Sequence, residues 1–355
     1  MSAAVLGWDV GGANVKAAHL DRADAEPRIL ERPFALWREP QRLPQVLSEV
    51  AEALGRADRM AVTMTAELAD CYATKHEGVT SVLAAFATAF PSAELHVFGV
   101  DGRFRSPAAA RRAPLRVAAA NWMASARLVA EACPDAIFMD VGSTTSDIIP
   151  IVAGRVAARG WTDPARLRSG ELVFTGALRT PVCAIVRSLP YRGRRCRVAA
   201  ELFAIAADAH LWLGHIGESD YSCEAPDGRG RSRAESGARL SRMIGADSEM
   251  LREGEITAIA EEVAKSQVQQ IASGLKQVLR RLRATAPEVA ILAGQGAFLA
   301  RDACASLGLI TTDLASRLGP GVARATPAAA VACFLARTGL PSDYLDLVNR
   351  LRDEP

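Results

Sequence analysis

Hydrophobic residues fall along this chain in short continuous runs and in stretches with three-to-four spacing, and the switches between the two set out its elements. Two stretches share one design. Residues 5–16 (VLGWDVGGANVK) and 137–148 (IFMDVGSTTSDI) each pass from an apolar run through Asp-Val-Gly and small polar residues into a second apolar run. Strand-forming residues on both sides of a Gly/Ser/Thr/Asn turn predict a hairpin in each case, and each hairpin is expected to open one half of the chain. After the first, the pattern predicts a strand over 28–37, a helix over 41–55, a strand over 60–64, a helix over 80–90, a strand over 95–100 and an alanine-rich helix over 117–133 that stops at Pro134. Beyond it come strands over 137–159, helices over 197–213 and 255–286, an irregular Gly-, Asp- and Arg-rich loop over 217–233, and a short buried strand over 289–293. Thr326-Pro327 reads as the cap and first turn of a last helix over 328–337. The alternation predicts an α/β fold of two similar halves, 1–134 and 135–355, around a cleft.

Composition narrows the class. With 355 residues, 50% hydrophobic and 23% charged, the chain has the size for two domains and the make-up of a soluble globular protein. No run approaches the roughly 18 uncharged apolar residues of a membrane span, so disordered, collagen-like and membrane-spanning readings are excluded and no membrane partner is expected. The 42 basic and 40 acidic residues leave a formal charge of +2, which gives no field to hold a polyanion, and nucleic acid is not an expected partner. All but four of the basic residues are arginine, so Lys16 stands out, while clusters such as 192–197 read as solvated faces. Seven cysteines without a CxxC pair argue against a disulfide framework or a zinc ribbon and read as buried or free thiols. The amino terminus enters an apolar strand with no basic region or cleavage signal, so a cytoplasmic location is expected. A homodimer is left open.

The two turns carry parts suited to phosphate. In Asp9-Val10-Gly11-Gly12-Ala13-Asn14-Val15-Lys16, adjacent glycines let backbone N–H groups converge on an anion, Asn14 can donate, and Lys16 supplies charge. Asp9 suits Mg²⁺, which takes one or two carboxylates together with phosphate oxygens and water. The second turn, Asp140-Val141-Gly142-Ser143-Thr144-Thr145, repeats the logic with hydroxyls in place of the amide and lysine. Asp9 and Asp140 could share one metal while the turns grip different phosphates; a plain hairpin explains either turn alone, but not the matched pair as readily. A third segment runs from the apolar 290–293 through Gly294-Gln295-Gly296, whose glycines permit close approach of a base or phosphate to a helix N-terminus, without completing a dinucleotide fingerprint or a Walker A sequence.

The ordered trio of Asp9-Gly11-Gly12, Asp140-Gly142-Thr144-Thr145 and Ala293-Gly294-Gly296 resembles the phosphate-1, phosphate-2 and adenosine motifs of the actin, sugar kinase and Hsp70 superfamily, particularly its hydantoinase A/oxoprolinase branch. The resemblance implies two ribonuclease-H-like halves flanking a phosphate-binding cleft. More narrowly, the segments GWDVGGAN at 7–14, TMTAELADC at 63–71, AANW at 119–122, TGALRTPV at 175–182 and APDGRG at 225–230 resemble tetrahydromethanopterin-linked C1-transfer proteins related to the methanofuran-biosynthesis synthase. That family implies a transferase joining an aminomethyl-furanylmethyl diphosphate to the phenol oxygen of γ-glutamyltyramine or tyramine, with diphosphate leaving and without need of ATP. On this reading the turn amides and Lys16 hold the leaving group, Asp9 and Asp140 hold Mg²⁺, and one carboxylate accepts the phenol proton.

Glu67 and Asp70 are further candidates for that base or for gripping the aminomethyl ammonium, although carboxylates at a strand-to-helix junction commonly cap the helix or sit in water. Asn121 is a candidate substrate contact or a turn stabiliser. Arg179 and Arg229 suit diphosphate or the glutamyl carboxylate, since a guanidinium fork fits both. His210 and His215, five residues apart on a stretch read as helical, are not expected on one face, and Cys71 reads as packing. An ATP-dependent kinase, a hydantoinase-type hydrolase and a non-catalytic nucleotide-sensing actin-like protein are the alternatives.

Overall fold

The computed structural model of the protein describes residues 4–22 and 26–338. They form two compact units, one within Met1–Ala136, Ile149–Ala165 and Leu314–Pro355, the other within Ile137–Ile148 and Arg166–Asp313. A boundary falls close to the expected 134, yet 149–165 and the C-terminal helices belong with the first unit rather than with a contiguous second half. Packing is the reason for the C-terminal return. The helix Thr326–Arg337 is buried from Thr326 through Ala336, and a helix apolar all round needs cover on every side. It lies on the first unit's central strands and on the helix Asn121–Ala132.

In the first unit β1 (Val5–Val10), β2 (Asn14–Leu20) and β3 (Arg28–Pro33) form an antiparallel meander. β4 (Arg59–Met64) pairs parallel with β1, β5 (Glu94–Phe98) parallel with β4, and β6 (Phe104–Arg105) closes the edge antiparallel. The chain continues through β7 (Ala136–Val141), β8 (Ser146–Val152), the short β9 (Arg155–Val156) that pairs with the far end of β8, and β10 (Leu172–Val173). A two-stranded hairpin of β11 (Ser188–Tyr191) and β12 (Arg194–Arg197) follows, then β13 (Val289–Ala293) and β14 (Ile310–Asp313). The sheets run β3-β2-β1-β4-β5-β6 and β10-β8-β7-β13-β14. Counted within each sheet, both read third, second, first, fourth, fifth, the ribonuclease-H-like order that the superfamily resemblance implies. Both predicted hairpins form, and β1, buried at all six residues, is covered on both faces.

Several elements depart from the pattern. The stretch 197–213 is helical only over Ala206–Leu213, because tertiary partners claim the backbone before it: Ala199 N donates to Met243 O at 2.8 Å and Ala206 N to Thr180 O at 2.8 Å. The helix Arg233–Arg242 follows the loop directly, started by a reciprocal cap in which Ser232 and Glu235 bond each other's backbone N–H, a Ser-x-x-Glu signal present in the sequence. Thr326 is not a cap; it lies inside its helix and donates its hydroxyl to Ala323 O at 2.9 Å. All seven cysteines are free thiols, Cys71 packing beside the first core as expected.

One close approach fixes the seat of the C-terminal helix. A methyl group on Gly7 of β1 would overlap Ala328 O and lie 2.7 Å from Ala332 Cβ. Gly7→Ala is therefore expected to cost about 3 kcal/mol or more in urea unfolding, at the upper end of overpacking. Gly254→Ala, where nothing lies within 4 Å, is expected to be neutral or to stabilise by up to about 1 kcal/mol through helix propensity.

Candidate functional site

In the first unit, Asp9 is the penultimate residue of β1, in register with Lys16 on β2 and Thr63 on β4. It is 8% exposed, and its Oδ1 has no hydrogen-bond partner among the described residues. Burial lifts its pKa to about 6, against the pull of Lys16 and with a smaller push from Glu31. Lys16 itself donates to Arg324 O at 2.6 Å and lies 3.7 Å from Glu31. The turn closes through Gly11 N to Asn14 O at 2.9 Å, and Thr65 N donates to Val10 O at 2.9 Å, which lays the loop after β4 along the turn. A Cβ on Gly11 would meet Asn14 O at 3.1 Å, whereas one on Gly12 would touch only Ala69 Cβ, at 3.9 Å. The fold therefore requires glycine at 11 far more than at 12.

Glu67 sits on the single helical turn Ala66–Leu68 that follows β4. It is 1% exposed, and neither carboxylate oxygen makes a hydrogen bond of normal geometry with a described residue. The first turn of the helix Lys75–Ala89 presses on it so closely that a Cβ on Gly78 would stand 2.5 Å from Glu67 Cα. Lys75 Nζ lies 3.9 Å from Glu67 Oε1 but 2.6 Å from Asp163 Oδ2, so the ammonium is drawn off by the second carboxylate. Burial raises Glu67 to about 7; Lys75 lowers it, as do the backbone dipoles of Glu67 and Ala119, and Asp163 raises it. Thr63 Oγ1, also buried, has no hydrogen-bond partner among the described residues. Asp70 is exposed. Asn121 opens the helix Asn121–Ala132, its Oδ1 accepting from Trp122 N at 2.8 Å.

In the second unit Asp140 has the position of Asp9, penultimate on β7 and in register with Ala293 on β13. The turn closes identically, Gly142 N to Thr145 O at 2.9 Å. Its carbonyls are fastened from outside: Gly142 O accepts from Ala177 N at 2.9 Å, and Ser143 O from Leu178 N at 3.1 Å and Arg179 N at 2.9 Å. Gly176 packs on the turn so tightly that a Cβ would lie 2.5 Å from Thr144 N. Ser143 and Thr144 hydroxyls are 3.3 Å apart on the half-buried side of the turn. Gly294 and Gly296 also have a structural reason to be glycine. A Cβ on Gly294 would overlap Asp140 Oδ1 and Val141 O, one on Gly296 would overlap Val141 Cγ1, and Gly294 further has φ +83°.

Arg179 and Arg229 are exposed. The loop bearing Arg229 is anchored by the fully buried Arg239, which donates to Asp208 Oδ1 at 2.8 Å, Asp227 Oδ1 at 3.1 Å and Gly230 O at 3.0 Å. His210 and His215 do meet, contrary to expectation: Gly214 ends the helix with φ +74°, the chain reverses, and the two Nδ1 atoms come 3.1 Å apart. Lys75 and Asp163 were not singled out by the sequence. The scarcity of lysine that marks Lys16 would have marked Lys75 equally, but nothing local ties Asp163 to residues 88 positions earlier. Among the described residues no group of three His, Cys, Asp or Glu side chains could hold a metal, and no helix is long and apolar enough to cross a membrane.

The chain is 35% identical over 338 residues to the (4-{4-[2-(gamma-L-glutamylamino)ethyl]phenoxymethyl}furan-2-yl)methanamine synthase of Methanocaldococcus jannaschii, spanning 95% of this chain and 99% of that one. It is 34% identical over 203 residues to the synthase of the same name from Methanococcus vannielii, spanning 56% of this chain and 90% of that protein. Among solved structures, nucleotide-free acetone carboxylase superposes with a TM-score of 0.57 at 12% identity, over 94% of this chain and 70% of that one, a likeness of fold. The hydantoinase/oxoprolinase family model matches residues 58–338, from just before β4 through the end of the described C-terminal helix. With both a family match over most of its length and an end-to-end relative, the chain belongs to the hydantoinase/oxoprolinase family.

Proposed function

We propose that this protein is a transferase of methanofuran-type C1-carrier assembly that condenses an aminomethyl-furanylmethyl diphosphate with the phenol of γ-glutamyltyramine or tyramine. The observation that carries the reading is similarity to a synthase of that product class along 95% of the chain and 99% of the relative. In the reaction the bond from the furanylmethyl carbon to the diphosphate oxygen breaks, its electron pair leaving on diphosphate. The phenol oxygen forms the ether bond to that carbon, and the phenol proton passes to a carboxylate.

Glu67 suits the proton acceptor. Its carboxyl titrates near neutrality, is shielded from water, and has no hydrogen bond of normal geometry to either oxygen among the described residues, while Lys75 stands near enough to steady the ionised form. Exposed Asp70 on the same loop suits the aminomethyl ammonium. The amides of Gly11 and Gly12, the Asn14 side chain and Lys16 suit a phosphate group, which the open face over Gly12 supports, and Gly142, Ser143, Thr144 and Thr145 make a turn of the same kind in the second unit. Arg179 and Arg229, both exposed, suit the glutamyl carboxylate or the diphosphate. The orphaned, buried Oδ1 of Asp9 fits Mg²⁺, an ion that takes one or two carboxylates together with water and phosphate oxygens. Asp9 and Asp140, each at the strand end of its own unit, are carboxylates suited to such an ion, whose charge would offset that gathered on the leaving diphosphate. With the leaving group built into the electrophile, ATP is redundant.

Purified protein given the furan diphosphate, tyramine and Mg²⁺ is expected to release diphosphate in equal amount to ether product with no nucleotide added. A stoichiometric need for ATP, or ATP hydrolysis with the furan diphosphate untouched, would overturn the reading. Asp9→Asn and Asp140→Asn are expected to keep the fold by circular dichroism while lowering kcat/KM about a hundredfold or more, the scale of lost electrostatic stabilisation of a leaving group. For Glu67, kcat/KM should rise with pH through about 7 and level off, since the base acts when ionised, and Glu67→Gln should abolish that limb. The stability sign is opposite. A carboxyl raised from 4.5 to about 7 binds its proton more tightly in the folded state, so its contribution is complete below about 4.5 and is lost as pH rises through 7. Thermal melts of Glu67→Gln should therefore lie above wild type at pH 8 and show no such gain at pH 4.5.

A further inference from the structure

A continuous chain of buried hydrogen bonds in the second unit ends on the Asp140 turn. Gln267 is fully buried near the middle of the helix Glu253–Leu282. Its Nε2 is 2.7 Å from Gly176 O and 2.8 Å from Thr175 Oγ1, and its Oε1 is 2.8 Å from His210 Nε2. The directions follow from donor and acceptor capacity. Gly176 O only accepts, so the Gln267 nitrogen donates there and its oxygen must accept, which puts the proton of His210 on Nε2. His210 Nδ1 is then the acceptor for His215 Nδ1–H, 3.1 Å away. The ring of Phe298, just after Gly294 and Gly296, packs against both imidazoles, with centroids 4.9 and 5.2 Å apart.

The far end of this chain meets the turn. Thr175 and Gly176 are further tied by Ser146 Oγ donating to Thr175 O at 2.7 Å and by Gly176 N donating to Thr180 Oγ1 at 3.0 Å. The next three amides, of Ala177, Leu178 and Arg179, are those that hold the carbonyls of Gly142 and Ser143. With both carbonyls fixed on that side, the orientation of the peptide planes in the turn is set by where 175–179 sits. We infer that Gln267 is a positioning residue for the anion-binding turn Gly142–Thr145, acting through Thr175 and Gly176 on the seat of a diphosphate group. This rests on the reading of that turn as a diphosphate seat.

The test uses the full chain in three variants: Gln267→Leu, Thr175→Val and, as control, Gln270→Leu. Gln270 lies on the same helix and donates to Ile185 O at 3.2 Å, remote from the turn. Three readouts are taken: calorimetric binding of magnesium diphosphate, steady-state kinetics with the furan diphosphate, and backbone hydrogen exchange over 142–145 and 175–179. Gln267→Leu and Thr175→Val are expected to weaken diphosphate binding about tenfold or more, as loss of a second layer of support does, to raise KM for the furan diphosphate more than they lower kcat, and to speed exchange in both segments. Gln270→Leu should do none of these. Folded Gln267→Leu, or Thr175→Val should the first not fold, with wild-type affinity and exchange overturns the positioning role. Wild-type protein that binds no diphosphate overturns the reading of the turn instead, and the exchange rates then still decide whether Gln267 positions it.

Discussion

One hydrogen bond made twice governs the chemistry available to this protein. Gly11 N to Asn14 O and Gly142 N to Thr145 O, each 2.9 Å, close a turn directly after the central strand of each sheet. A strand that reverses there must leave its penultimate side chain, Asp9 or Asp140, at the sheet end beside the parallel strand, opposite Thr63 or Ala293. Whatever follows that parallel strand then crowds the turn. In the first unit this is the loop of Thr65 and Glu67, in the second Gly294 and Gly296, so the two units build different chemistry on one frame.

The difference is electrostatic as well as steric. The first turn gathers carboxylates without enough partners: burial lifts Asp9 to about 6 and Glu67 to about 7, while Lys75 is shared unequally between Glu67 and Asp163. Groups held near neutrality at a cost in stability are characteristic of places where protons or cations are exchanged. In the second unit the buried Arg239, Asp208 and His210 are satisfied instead. Arg239 and Asp208 neutralise each other with further hydrogen bonds from Tyr221 and Ser236, and His210 is held neutral by burial with both ring nitrogens engaged. Those networks brace loops and turns.

Much of this was legible in the residues. The duplicated Asp-Val-Gly pattern implied both hairpins and the α/β order, because apolar runs broken by glycine are a local property of the chain. The glycine segments were legible as special positions, but not why. Gly294 and Gly296 are small because Asp140 and Val141 occupy the space a side chain would need, which a sequence motif cannot separate from room left for a nucleotide. The local pattern over 197–213 favours helix throughout, and the partners that compete for its backbone, Met243 and Thr180, lie far along the chain.

The sequence by itself determined the strands, the turns and the carboxylates at their ends, each set by neighbours within a few residues. Tertiary structure alone decided which of those carboxylates is unusual. Glu67 and Asp70 are three apart and chemically alike, yet one is sealed beneath the helix Lys75–Ala89 and the other faces water. It also decided that His210 meets His215 and Gln267 meets Gly176, contacts 5 and 91 residues apart. Burial and long-range hydrogen bonding depend on what the rest of the chain packs over a residue, and that is not written at the residue itself.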